Sequence, residues 1–145
     1  MEKGIAGLTG HYIICGASHA GGVICSELHK TGRPFVLVER DKERLRREAE
    51  RLGEGVHSIE GDATQDETLK RAGVERAAGV FAVLATDQDN AFVALSAKGL
   101  NPKVRVVSKQ KELGVREKLF RSGADNVVKP EYIGGLRMAS EMIRP

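Results

Sequence analysis

Short apolar runs alternate along the chain with longer segments of helical periodicity. The apolar runs are rich in β-branched residues and predict six strands, over His11–Cys15, Phe35–Glu39, Val56–Glu60, Val80–Ala85, Val104–Ser108 and Asn126–Lys129. Each run is nearly continuous in hydrophobicity, which is typical of strands buried on both faces of a parallel sheet. Because the strands alternate with helices, the pattern predicts an α/β fold, a doubly wound sheet of six mainly parallel strands with helices on both faces.

The segments between the strands carry helix start and stop signals. Helices are predicted over Arg40–Leu52, Leu69–Ala72, Asp87–Lys98, Glu112–Ser122 and Ile133–Ile143. Residues 64–67 form a capping box, and the glycines at 53, 73, 99 and 123 are predicted to end helices. The first ten residues have no clear period, so we interpret 1–10 as a linker or a cut end and 11–145 as one domain, with 133–143 as its terminal helix.

Composition narrows the class of protein. The 145 residues fit one domain, and with 41% hydrophobic and 30% charged residues they can form a packed core. The net charge of +3 is too small to indicate a nucleic-acid or membrane partner, and 4% aromatic residues without Trp argue against a stacking platform for single strands. The two cysteines are too few for a disulfide framework and indicate a reduced, cytoplasmic protein. No apolar run approaches the roughly 20 residues that span a bilayer, so we expect no direct membrane insertion.

The turn after the first strand is glycine-rich. It lies where the dinucleotide fingerprint G-x-G-x-x-G lies, with Gly16 and Gly21 in the first and third glycine positions. Ser18 replaces the second glycine, and its Cβ would crowd a pyrophosphate, while its hydroxyl either donates to a phosphate or caps the helix. His19 likewise either contacts phosphate or makes a local cap. The following helix would present its N-terminus to an anion.

Further polar residues follow the next strands at the same edge of the sheet. Glu39 lies 23 residues after Gly16, near the spacing of a carboxylate that binds ribose hydroxyls. Arg40 is placed to hold a phosphate or to stack on a base, and Asp62 to accept from an adenine amino group. Thr86 opens the loop after the fourth strand. The alternative is a degenerate fold relic without a ligand, in which Glu39 is merely solvated and residues such as Thr64 and Asp87 only cap helices.

Catalytic constellations are missing from the sequence. The four histidines, His11, His19, His29 and His57, are scattered, and none is at metal-ligand spacing or beside a credible nucleophile. A nicotinamide-dependent reductase would need a catalytic acid or base and usually a second domain. The charge run Glu39–Glu54 holds six basic and six acidic residues, which indicates a solvated helix face. We therefore expect no enzyme and no metal site.

Several segments together resemble a known family. They are IICG at 13–16, the carboxylate of Glu39, GDAT at 61–64, LKRAGV at 69–74, TDQDNAFVALSAK at 86–98 and GADNVVKP at 123–130. From Tyr12 to Pro130 the chain resembles the RCK/KTN (TrkA-N) domain, the Rossmann-like regulatory module of prokaryotic potassium channels and transporters. The middle segment is most similar to the bacterial Kch-like channel group.

The resemblance implies a ligand-sensing gating domain at the cytoplasmic face of the membrane, with a potassium pore or transporter subunit as its partner. It implies NAD(H), ATP, ADP, AMP or divalent cations as ligands, and it implies nucleotide binding at Gly16, Ser18, Gly21, Glu39 and Asp62. Ser18 and His19 stand where most nucleotide-binding members have glycine and arginine. Some calcium-gated members have carboxylates after the fifth strand, where this chain has Ser108-Lys109-Gln110-Lys111, so no calcium site of that type is expected.

Two predicted helices are apolar almost all round. Residues 87–98 and 133–143 carry apolar side chains on more faces than a monomer's surface helix needs. We interpret them as the contacts of a homodimer or ring, an arrangement that the resemblance also implies. The alternative is that both helices are simply buried within one domain. The alternative function is an assembly module whose nucleotide site is degenerate.

Overall fold

A six-stranded parallel sheet forms the centre of the protein in the computed structural model, which describes residues 2–144. The strands are β1 Tyr12–Cys15, β2 Phe35–Glu39, β3 His57–Glu60, β4 Gly79–Ala82, β5 Arg105–Lys109 and β6 Asn126–Val128. All five neighbouring pairs are parallel, in the order β3-β2-β1-β4-β5-β6. The predicted doubly wound α/β fold is therefore confirmed. The order reverses between β1 and β4, and a crevice at such a point is where open α/β sheets bind ligands.

Helices cover both faces of the sheet. They are α1 Glu2–Ala6, α2 His19–Lys30, α3 Lys42–Leu52, α4 Asp66–Arg71, α5 Asp87–Leu100, α6 Arg116–Arg121 and α7 Pro130–Ile143, with a 3-10 turn at Val74–Arg76. Side chains alternate across β1, so Ile13 packs with α5 on one side while Ile14 packs with α2 on the other. Both isoleucines are fully buried, which fixes the position of β1 and of the loop that follows it.

The segment 1–10 differs from the predicted linker. Residues 2–6 form α1, and Ile5 is fully buried in the core cluster that includes Ile59 and Leu69. The Arg76 guanidinium donates to the carbonyl oxygens of Leu8 at 2.9 Å and Ile5 at 3.4 Å, which holds this segment against the amino end of the sheet. One turn of helix is too short to give a periodic signal in sequence.

Several predicted helix ends are also wrong. Thr64 is not a helix cap, because Gln65 precedes α4 and makes no side-chain cap. Gly99 does not end α5, which continues to Leu100. The helix predicted from Glu112 begins at Arg116, and α7 begins at Pro130, which suits the first position of a helix.

The last helix packs differently from the others. Every described residue of α7 is exposed, including Met138 at 75% and Met142 at 84%. The alternative that this helix is buried within the domain is therefore wrong. In α5, Val93, Ala94 and Ala97 are buried, whereas Phe92 is 44% and Leu95 52% exposed. Both helices thus present apolar surface that the rest of the described chain leaves uncovered.

Candidate functional site

The loop between β1 and α2 depends on its two glycines for packing. Gly16 has φ +117°, and a Cβ there would lie 2.7 Å from the Val83 carbonyl oxygen. A Cβ on Gly21 would overlap the carbonyl oxygen of Gly16. Neither contact can relax easily, because both atoms are backbone at the ends of buried strands. The first and third positions of the fingerprint are therefore fixed by the fold itself.

The Ser18 hydroxyl is used within the protein. It accepts from the Gly21 N–H at 3.2 Å and so caps α2, and it donates to the Val83 carbonyl oxygen at 2.9 Å. A hydroxyl has only one proton to donate, so this proton is not free for a phosphate. Of the two roles considered for Ser18, the structure has the cap. The second bond also ties the loop to the end of β4, across the point where strand order reverses.

Three backbone N–H groups remain open at this turn. Within residues 2–144, the N–H groups of Ser18, His19 and Ala20 have no acceptor. They belong to the first turn of a twelve-residue helix, whose N-terminus carries partial positive charge. His19 begins that helix and its side chain is exposed. The arrangement suits a bound anion such as a phosphate.

Glu39 is the buried acid of the site, with only 8% of its surface exposed. One carboxylate oxygen accepts from the Ala17 N–H and the other from the Asp41 N–H, both at 2.7 Å. The carboxylate thereby joins the glycine loop to the turn that begins α3. Each oxygen has a second lone pair, so the same group is able to accept from ribose hydroxyls while holding the loop.

The Asp62 carboxylate lies at the end of the neighbouring strand. It accepts from the Thr64 hydroxyl at 2.7 Å and from the Thr64 N–H at 2.9 Å, and Arg40 approaches it at 3.9 Å. The hydrogen bond from the Thr64 hydroxyl lowers the pKa of Asp62. Thr64 thus orients Asp62 instead of capping α4. Arg40 and Asp62 lie above the ends of β2 and β3.

Thr86 and Asp87 follow β4 at the carboxyl edge of the sheet, and both bond to other parts of the protein. Thr86 caps α5, accepting from the Asp89 N–H at 3.1 Å, and no hydrogen bond joins its side chain to the glycine loop among the described residues. Asp87 is no cap, since its two oxygens accept from the N–H groups of Lys111 and Glu112. The structure brings Gly16, Ser18, His19, Gly21 and Glu39 together, places Arg40 and Asp62 beside them, and leaves Thr86 apart.

Sequence reasoning missed a groove beside this loop. The groove lies between α2 and α3, has a volume of about 660 Å³, and is lined by Ser18, His19, Arg44 and Arg47 among others. In sequence the arginines belong to the charge run that was interpreted as a solvated face. Positions 44, 47, 48 and 51 are three or four residues apart and therefore share one face of the helix. This spacing is the sequence signal that distinguishes the groove-lining residues from the rest of the charge run.

Two classes of feature are absent from residues 2–144. No group of three or more His, Cys, Asp or Glu side chains there is arranged to hold a metal ion. None of the helices in the same region combines the length and hydrophobicity needed to span a bilayer.

Comparison with known proteins decides the family. The TrkA-N domain model matches residues 12–130, which include every strand of the sheet. The chain belongs to the TrkA-N domain family. Potassium channel protein 1 of Methanocaldococcus jannaschii is 41% identical over all 145 residues, and the voltage-gated potassium channel Kch of Escherichia coli is 28% identical over 125 residues. The match covers 43% of the first protein and 30% of the second, so this TrkA-N chain spans less than half of either relative.

Solved structures of this TrkA-N architecture include complexes with nucleotides. The GsuK channel bound to NAD superposes with a TM-score of 0.74 at 25% identity, over 84% of this chain and 22% of that one. GsuK bound to ADP gives 0.75 at 26% identity, over 85% of this chain and 32% of that one. The expected resemblance to regulatory domains of potassium channels is confirmed at the level of family.

Proposed function

We propose that this domain regulates a potassium channel or potassium transporter from the cytoplasmic face of the membrane, and that it does so by binding an adenine nucleotide. The observation that carries the proposal is the prepared loop, with three open N–H groups at the α2 N-terminus beside the buried carboxylate of Glu39. The N–H groups suit phosphate and the carboxylate suits ribose hydroxyls. NAD and ADP, the ligands of the two GsuK structures, both contain these groups.

The residues around the loop support a binding role instead of catalysis. Of the four histidines, His19 alone lies at the carboxyl end of the sheet, since His11 and His57 are at the amino end and His29 is near the end of α2. In the part of the chain that the structure describes, no nucleophile is paired with a base near the loop. We therefore propose a sensor and not an enzyme. Lys109 at the end of β5 and Lys111 just after it support a nucleotide over calcium, because lysines are not calcium ligands.

The uncovered apolar helices support self-association. We propose that a homodimer, or a ring built from dimers, forms through α5 and α7, whose exposed apolar residues include Phe92, Leu95 and Met138. We also propose that residues 11–145 are one RCK-type domain on which α1 docks. In the assembled protein, a change in nucleotide would shift the relative orientation of the paired domains and so act on the pore.

A thermal-shift screen with NAD⁺, NADH, ATP, ADP and AMP tests the nucleotide proposal. A nucleotide at 100 times its Kd stabilises a protein by about 2.7 kcal/mol. We expect a rise in Tm with at least one of the five, and a smaller rise in the Glu39→Ala variant. Glu60→Gln, at the paired position of β3, is the control and keeps the full rise. No rise with any nucleotide contradicts the proposal.

A further inference from the structure

The groove between α2 and α3 is lined by two arginines that form no ion pair within the described chain. Arg44 and Arg47 line it together with Ser18 and His19. Neither guanidinium donates a hydrogen bond to, or forms an ion pair with, any residue between 2 and 144. Both side chains are exposed at the groove wall.

The other arginines of the same helix are paired. Arg46, on another face of α3, bonds Glu43 and Glu50. Arg51 bonds Glu48 within the groove and also donates to Gly22 O at 3.0 Å and Ser26 Oγ at 2.9 Å, which links α3 to α2. The charges of Glu48 and Arg51 cancel. The groove therefore keeps the guanidinium groups of Arg44 and Arg47. The pKa of Glu43 is lowered by the hydrogen bond from Arg46 and, to a smaller extent, by the charge of Arg47.

Two features of α3 disfavour these arginines, although an acid lies one turn from each, Glu48 from Arg44 and Glu43 from Arg47. The two arginines are three residues apart, so like charges are neighbours on one face. Arg44 is also in the first turn, three residues after the cap Asp41, where the helix dipole disfavours a cation. A bound anion would relieve both repulsions.

The groove begins at the proposed nucleotide site. Ala17, Ser18 and His19 line the groove, and the Ala17 N–H also donates a hydrogen bond to the Glu39 carboxylate. A nucleotide with its first phosphate at the loop and its ribose at Glu39 would therefore have the groove within reach of a further phosphate. Guanidinium groups bind phosphate well because their planar donors match its oxygens.

We propose that Arg44 and Arg47 form a second anion subsite, which binds a phosphate monoester carried by the nucleotide in addition to the phosphate at the glycine loop. This inference rests on the proposed function. The monoester is either the terminal phosphate of ADP or ATP or a phosphate on the ribose, as in NADP⁺. Both have the same chemistry, and paired nucleotides distinguish them.

Calorimetry on the 145-residue chain tests the subsite with AMP, ADP, ATP, NAD⁺ and NADP⁺. We expect ADP and ATP to bind more tightly than AMP, or NADP⁺ more tightly than NAD⁺. Arg44→Gln and Arg47→Gln should each weaken the favoured nucleotide by about tenfold, the scale of a charge-assisted contact, while AMP and NAD⁺ change little. If the arginine variants no longer bind ADP more tightly than AMP, the subsite binds the terminal phosphate. If they no longer bind NADP⁺ more tightly than NAD⁺, the subsite binds the ribose phosphate.

Arg46→Gln is the matched control, because it removes one charge from the same helix outside the groove. If it weakens binding as much as Arg44→Gln does, the effect is general electrostatics and the subsite is wrong. Glu39→Ala separates the two proposals, since it should weaken AMP, ADP, ATP and NAD⁺ alike, the four nucleotides whose ribose hydroxyls are free for the carboxylate; NADP⁺, which carries a phosphate on that hydroxyl, should not weaken with them. If AMP binds with an affinity that Glu39→Ala lowers, while the arginine variants change neither the ADP-over-AMP nor the NADP⁺-over-NAD⁺ preference, only the subsite is overturned. If none of the five binds, both proposals are overturned.

Discussion

The carboxylate of Glu39 accepts the backbone N–H of Ala17 at 2.7 Å, so the end of β2 holds the glycine loop after β1. Glu39→Gln replaces an acceptor with an amide donor and leaves the Ala17 or Asp41 N–H unpaired. The expected result is a loss of about 1–3 kcal/mol in the free energy of unfolding, measured by urea denaturation. Glu60→Gln, exposed at the paired position on β3, should cost far less. Equal stability of the two variants would show that the bond to Ala17 is unimportant.

Two substitutions at Ser18 distinguish the stabilising effect of its helix cap from the steric effect of its Cβ on a bound ligand. Ser18→Ala removes the hydroxyl that caps α2 but keeps the Cβ, whereas Ser18→Gly removes both. Both should lower the free energy of unfolding, the alanine variant by about 1 kcal/mol. Only Ser18→Gly should raise the affinity for NAD⁺ relative to AMP in calorimetry, because the Cβ crowds a pyrophosphate. If the two variants have the same affinity ratio, the steric argument fails.

Two glycines in helices should respond oppositely to alanine. A methyl group on Gly21 would overlap the Gly16 carbonyl oxygen, so Gly21→Ala should lower Tm strongly or prevent folding. Gly99, inside α5, has open space around its Cβ position. Gly99→Ala should raise the free energy of unfolding by about 0.5–1 kcal/mol. A destabilised Gly99→Ala variant would mean that this surface is covered in solution.

The His11 imidazole predicts a dependence of stability on pH. Burial lowers its pKa from 6.5, and its Nε2 lies 2.8 Å from the Ala72 carbonyl oxygen. As the pH falls below 6.5, His11 binds a proton in the unfolded chain but stays neutral in the folded protein. Stability is therefore complete above pH 6.5 and falls below it, by at most about 1.4 kcal/mol per pH unit.

Denaturation at pH 7.5 and 5.5 measures this loss of stability. His11→Gln keeps a donor for Ala72 but does not titrate, so the loss between these two pH values should shrink. His29→Gln, an exposed change near the end of α2, should leave the loss as it is. An undiminished loss in His11→Gln would assign the pH dependence to other groups.

Self-association is tested by sedimentation at micromolar concentration. Phe92→Asp places a charge on the uncovered part of α5 and should split the proposed dimer, since an unpaired charge is costly to bury. Val23→Asp is the control, an exposed apolar position on α2, 58% against 44% for Phe92, across the sheet from α5. A monomeric unmodified protein would contradict the dimer.

The sequence was sufficient for the strands, because buried parallel strands carry a strong signal in continuous runs such as Phe35–Glu39, which the structure reproduces at both ends. Helix ends were less predictable. Gly99 resembles a helix stop, yet its φ is not positive, and the cap falls at Asn101 instead. Short α1 gave no period, although Ile5 is fully buried.

For the site, spacing placed Glu39 correctly beside the glycine loop, but its partners are backbone N–H groups, which leave no trace in side-chain patterns. The sequence did not identify Arg44 and Arg47 as site residues, for a different reason. Along the sequence their charges cancel against neighbouring glutamates, whereas in the structure Glu43, Glu48 and Glu50 form their ion pairs with Arg46 and Arg51 instead.

The exposure of α7 has a consequence for folding cooperativity. A lone helix of about 12–15 residues is marginal in water, and α7 has 14, with Gly134 and Gly135 in its interior. Since no side chain of α7 is fully buried, unfolding it exposes little apolar surface, and its amides should exchange with solvent far faster than those of β1. Surface that covers α7 supplies the missing free energy, so amide exchange in this helix should slow as protein concentration rises. In the proposed dimer, we expect the helix to complete its folding on assembly.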